Sequence, residues 1–294
     1  MIDRDATGAS VDWAWRETLA EALRPATARL VEPEEHGRPA PGAGTVAKVE
    51  VGWFDYARRR ACVGAQGEPF AWSARFARRT LGLAALGELP AVGYRSDRAL
   101  ARAREAASDS GLGEWLATLP PGGVEATLAE AATWLAAAVA VVGPGQVAEL
   151  AWEQPGARID WRAPRSPLVL SARAEGATSD HRRATNLGLI RLVDHTATTA
   201  DERSEAGWLA VLHAVRFGVA PNRVIVADLR RRRRRTHRVD DALLTEGVAV
   251  LSAASADAVA AKLGDHDRAD TVLTPGRHCR WCARRGVCPV GPAE

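Results

Sequence analysis

The hydrophobic and polar positions change their pattern halfway along the chain. In the first half, apolar and alanine-rich stretches of helical length alternate with breakers, which predicts helices over 12–24 (DWAWRETLAEALR), 71–88 and 97–108. LPPGG at 119–123 interrupts, and a further helix is predicted over 124–142 (VEATLAEAATWLAAAVAVV), stopped by GPG. After Gly145 the runs shorten. QVAELAWE (146–153), ARIDW (157–161), PLVLSARAE (167–175) and LGLIRLVD (187–194) read as strands bounded by turn residues. An amphipathic helix over 202–218 and a strand over 222–229 (NRVIVADL) follow. Then come a turn carrying six arginines, a return strand over 236–240 (THRVD) and a helix from Asp241 to Leu263. No internal repeat is present.

This order is a helical half, a meander of strands, then strand–helix–strand–helix. It predicts an α/β protein with a helical lobe inserted into or prefixed to the sheet. The divisions are an N-terminal helical lobe over 1–145, an α/β core over 146–265 and a C-terminal segment over 266–294, packed as one unit. A Pro/Gly-rich connector, EEHGRPAPGAGT, lies at 34–45. The 47% hydrophobic content of the 294 residues suffices for a sizeable core. Ten tryptophans beside four phenylalanines and two tyrosines read mostly as core and interface residues. The N-terminus MIDRDATGAS is polar, and the longest apolar run, WLAAAVAVVG at 134–143, is shorter than the roughly 20 residues that span a bilayer. A soluble cytoplasmic protein without a membrane partner is expected.

Formal charge is only +3, yet lysine occurs only at Lys48 and Lys262. Arginine forks suit phosphate contacts, and a GC-rich coding sequence yields the same bias. Cysteine usage is more pointed. Cys279, Cys282 and Cys288 stand in PGRHCRWCARRGVCPV with C-x2-C-x5-C spacing, while Cys62 lies far upstream. Reduced thiols clustered in this way read first as metal ligands. The two-residue gap lets two sulfurs converge, the next loop returns a third, and Cys62 is the thiol left for the fourth position. Four thiolates suit either tetrahedral Zn2+, for which His278 is a further ligand, or an iron–sulfur cubane.

One early cysteine and a terminal C-x2-C-x5-C resemble the iron–sulfur members of the PD-(D/E)XK nuclease superfamily, of RecB and AddB type. The likeness extends over most of 50–290. WFDYARRRAC resembles the lead into the first cysteine, LVLSARAEG the strand with a Gly-Arg-Ile-Asp core, and LIRLVDHTATT the strand with the acid-x-Lys motif. WLAVLHAVRFGVAPNRVIVADL resembles the helix and strand that follow, and TPGRHCRWC the closing cluster loop. The resemblance implies a central mixed sheet flanked by helices. It also implies a 4Fe–4S cluster on Cys62, Cys279, Cys282 and Cys288 that staples the C-terminus to the start of the nuclease domain. DNA, single-stranded or bearing an end, and a helicase or nuclease subunit are the implied partners.

The catalytic motif departs from the family. Such nucleases hold Mg2+ or Mn2+ on two acids and use a lysine two positions after the second acid to help activate water. Glu175 stands at the first acid position, with Asp160 as a competing match, and Asp194 stands at the second. Thr196 occupies the lysine position, and a neutral hydroxyl does not replace an ammonium charge. No histidine lies between Cys62 and His181, and neither glutamine nor tyrosine falls within 208–213. A degenerate nuclease fold serving DNA repair, recombination or defence is therefore expected. The alternatives are an active nuclease using Glu175 and Asp194, or a zinc-stapled protein-interaction module.

Arg230, Arg231, Arg232, Arg233, Arg234 and Arg235 are expected at a hairpin tip. There they form a phosphate-binding finger, since adjacent cations repel without an anion. A solvated turn is the plainer alternative. Arg58 to Arg60 and Arg280, Arg284 and Arg285 would form a second basic surface beside the clasp. Asp194 and His195 end an apolar strand, where either an active site or a simple turn cap is found.

Overall fold

The computed structural model describes residues 14–31, 48–61, 71–152, 158–178, 187–193, 199–263 and 288. The first element, α1 (Ala14–Val31), runs past its predicted end and through Pro25. Its stripe Leu19, Leu23, Ala26 and Leu30 stays buried at helical spacing, so packing extends the helix across the proline. β1 (Val49–Gly52) leads directly into α2 (Trp53–Ala61). α3 (Ala74–Glu88) is capped by Ser73, whose hydroxyl accepts the Phe76 N–H at 3.4 Å. α4 (Ser96–Ala106) falls where predicted, and a short α5 (Gly111–Thr118) adds a helix that the pattern did not resolve. α6 (Pro121–Val142) begins three residues early because Pro121 suits a first helical turn.

The first half of the predicted strand over 146–153 is helix instead. Gly143, at φ 93°, ends α6, and α7 (Pro144–Glu149) starts at once, with the Val147 N–H donating to the Gly143 carbonyl at 3.0 Å. Proline again supplies the first turn, and only β2 (Leu150–Trp152) is extended. β3 (Ile159–Arg162), β4 (Leu168–Ala172), β5 (Gly176–Thr178) and β6 (Gly188–Val193) follow. α8 (Thr199–Phe217) connects β6 to β7 (Arg223–Asp228) as a parallel crossover, and β8 (Arg233–Arg238) returns antiparallel. α9 (Asp241–Leu263) spans the predicted bounds, with Asp240 accepting the Leu243 N–H at 2.9 Å as its N-cap.

The described strands form two sheets, ordered β1-β4-β3 and β2-β5-β6-β7-β8. The predicted strand over 167–175 covers β4 and the corner after it, and β5 lies beyond its predicted end. β4 belongs to the first sheet and β5 to the second, with Arg173 to Glu175 at the corner. The β6–β7 pair then partitions two cores by simple alternation. Leu189, Val193, Val224 and Val226 face a core built with α1, β1, β4, α8 and α9. Ile190, Leu192, Ile225 and Ala227 face a second core built with α3–α6. Tryptophans anchor both. Trp208 stacks on Tyr56 and meets Trp53 edge-on, with its indole N–H on the Ser171 carbonyl at 3.0 Å. Trp134 lies over Gly82 where α6 crosses α3.

α6 and α9 are each long and apolar enough to cross a membrane by length and composition. The ten-residue apolar run seen in the sequence is thus only the end of a longer apolar helix. Both helices bury one stripe in the fold, α6 through Ala131, Trp134, Leu135, Ala138 and Val142, and α9 through Leu244, Val248, Leu251 and Ala258.

Candidate functional site

β6 is apolar except at Arg191, which is only 3% exposed. A guanidinium cannot be left there without counter-charges. Two carboxylates supply them. Arg191 Nε donates to Glu205 Oε1 on α8 at 2.6 Å, and Arg191 Nη1 donates to Glu175 Oε1 at the corner between β4 and β5. Glu175 and Glu205 are themselves buried. Burial works against the Arg191 charge, but Glu175 and Glu205 outweigh it and hold the proton more tightly than on a free guanidinium. The ring of Phe54, from α2, lies 5.1 Å from the guanidinium carbon.

Glu175 is held at both ends. Its backbone N–H donates to the Ile190 carbonyl at 2.8 Å, and its Oε2 accepts the Leu192 N–H at 2.8 Å. Arg79, reaching in from α3, donates to Oε1 alongside Arg191 and also to the Leu192 carbonyl at 3.3 Å. Both oxygens of the expected first metal acid are therefore engaged by protein donors. A fixed cation, Arg191, bridges Glu175 and Glu205. Around this centre, Arg173 is held below its usual value by lost hydration and then by the guanidinium groups of Arg158 and Arg191. The competing acid, Asp160, is exposed on β3 and takes a hydrogen bond from Arg158 at 3.0 Å.

Arg79, Arg191 and Glu205 were not singled out by sequence pattern. The available signal was an arginine inside the apolar run LGLIRLV, which demands a buried counter-charge. Nothing local says where that charge comes from. Asp194, His195 and Thr196 lie outside the described residues, as do Cys62, Cys279, Cys282 and His278. Among the described residues no group of three or more His, Cys, Asp or Glu side chains gathers as for a metal. Cys288 is half-buried and not in a disulfide.

Only the first half of the arginine run, Arg230 to Arg232, lies at the expected hairpin tip. The turn is only Leu229–Arg232, and the strand begins at Arg233 because the ladder with β7 continues to the pair Asp228–Arg233. Buried Asp228 builds the turn. Its Oδ1 accepts the N–H groups of Arg230 and Arg231, each at 3.0 Å, and its Oδ2 accepts from Arg231 Nη1 at 3.3 Å. Arg232 closes the turn in the left-handed region at φ 50°. On β8 the side chains alternate. Arg233 reaches Glu202 at 2.5 Å and Arg235 reaches it at 3.5 Å, the carboxylate being only 2% exposed. Arg234 points the other way and donates to the Val142 carbonyl at 2.8 Å and to Gln146 at 2.5 Å, covering the C-terminus of α6.

The class these observations define is a mixed α/β protein with a buried Arg–Glu cluster at a sheet corner and a basic hairpin at the sheet edge. No family model matches the chain, and no curated protein matches it.

Proposed function

We propose that the chain is a cytoplasmic, DNA-associated iron–sulfur protein with a PD-(D/E)XK-type core whose catalytic centre is degenerate. It serves as a DNA-binding or scaffolding subunit in repair, recombination or defence, beside an active helicase or nuclease. The observation that carries the degenerate reading is Arg191. The carboxylate at the first acid position is paired with an internal guanidinium, and its other oxygen takes the Leu192 N–H. Arg191 also shares the second buried acid, Glu205. In support of the core, the three motif-like stretches fall on β4–β5, β6 and α8–β7 in the order that the resemblance requires.

Cys62, Cys279, Cys282 and Cys288 would hold a 4Fe–4S cluster. The donor set of four thiols suits it, and Cys288 is half-buried and not in a disulfide. When bound, the cluster supplies a structural clasp between distant parts of the chain. The same donors, with His278 as a further ligand, suit Zn2+.

The test is anaerobic purification with metal analysis, followed by DNA binding and cleavage assays on the same sample. Brown protein with four irons per chain in order of magnitude, salt-sensitive DNA binding and no cleavage with Mg2+ or Mn2+ are expected. Metal-dependent cleavage that disappears in Asp194→Ala would overturn the degenerate reading. A colourless protein carrying one zinc would replace the cluster and leave the clasp.

A further inference from the structure

The eight arginines of the β7–β8 hairpin and its turn are not equivalent. Glu202 holds Arg233 and Arg235, Asp228 holds Arg231, and the end of α6 holds Arg234. Four guanidinium groups remain with neither an ion pair nor a hydrogen bond to a carbonyl or amide among the described residues. Arg230 and Arg232 stand exposed at the tip. Arg223 and Arg238 face each other directly across the ladder at the base. Like charges directly opposite on adjacent strands destabilise the pair. Arg223 Nε is moreover buried without a hydrogen-bond partner. Each pair is therefore a concentration of uncompensated positive charge. Asp228 and the left-handed Arg232 fix the tip backbone in advance, so little order remains to be imposed on binding.

Arg232 closes the turn, and Arg238 ends β8 five strand steps beyond Arg233, or about 17 Å at ~3.4 Å per residue. No single phosphate spans that distance, whereas a phosphodiester backbone does. We infer that the hairpin binds a nucleic-acid backbone at two points, Arg230 and Arg232 at the tip and Arg223 and Arg238 at the base. The middle arginines, Arg233 to Arg235, secure the hairpin to α8 and α6. This rests on the nucleic-acid reading above and narrows it to four residues.

The experiment measures binding of a fluorescent single-stranded oligothymidylate to the full-length protein across a salt series. Three double variants are compared: Arg230→Gln with Arg232→Gln, Arg223→Gln with Arg238→Gln, and Arg233→Gln with Arg235→Gln. All three remove the same charge. The tip and base variants each lower the salt slope by about 1.4, from about 0.7 per phosphate contact on a single strand. The Arg233/Arg235 variant keeps the wild-type slope and unfolds at lower denaturant. Lysine at the tip and base positions restores the slope. Equal loss of slope in all three variants reduces the effect to net charge and overturns the inference. A wild-type slope in the tip and base variants also overturns it while leaving nucleic-acid binding elsewhere on the chain. If the wild-type protein binds no oligonucleotide, the broader reading falls as well.

Discussion

At the scale of single residues, the decisive side chain is Arg191. It carries a permanent charge into a strand whose other described side chains are apolar, and it is tolerated because Glu175 and Glu205 meet it there. Breaking such a buried pair typically costs about 3–5 kcal/mol, because the partner charges stay buried and alone. Arg191→Met should therefore lower stability by about that amount in denaturant unfolding, and should do so far more than Arg158→Met, whose pairs are more exposed. A second prediction concerns pH. His237 is held below the ordinary histidine value of 6.5, first by burial and then by the Arg203 charge. Arg235 adds to the depression, while Glu202 and Glu246 oppose it. Its folded form thus binds a proton less readily than the unfolded chain. The stability this contributes is present above pH 6.5 and is lost as pH falls below it. Urea unfolding at a series of pH values should show that loss, and His237→Gln should flatten it.

At the scale of elements, closeness of approach sets the fold's tolerances. α8 and α9 cross at Gly207 and Gly247, where a Cβ on Gly247 would come within 2.4 Å of the Gly207 carbonyl oxygen. Backbone cannot give way as a flexible side chain does. Gly247→Ala should destabilise by about 1–3 kcal/mol through overpacking, with a fall in melting temperature by calorimetry. Most elements were legible because local chemistry marks them. The Asp240 cap starts α9 at its predicted residue. Of the elements misread, α7 follows from the local first-turn signal of Pro144, and the start of β8 was decided by neighbours. Arg233 to Arg235 are strand because β7 offers a ladder and Glu202 and α6 offer partners, although their composition reads as turn.

At the scale of the whole molecule, the β6–β7 pair divides one core from the other. The corner between β4 and β5 carries the acid that joins them through Arg79 and Arg191. A clasp from Cys62 to the C-terminal cysteines would close most of the chain, and closing a long loop restrains the unfolded state. Cys282→Ser should abolish visible colour and bound metal and lower the unfolding midpoint in denaturant. An unchanged midpoint with unchanged metal content would remove the clasp.

By itself the sequence determined the α/β class, the run of helices before the main strands, the α9 boundaries and the conspicuous cysteines. Periodicity, caps and spacing are local properties written within a few residues. It also marked the arginine run as unusual, while Glu175 was singled out only through the family resemblance. Only the tertiary structure decided what those groups do. It set Arg191 and Arg79 on Glu175, put Glu205 beside them from another element, and separated three inward-committed arginines from the rest. The physical reason is that a buried charge must be matched, and its match is chosen by packing in space, not by order along the chain.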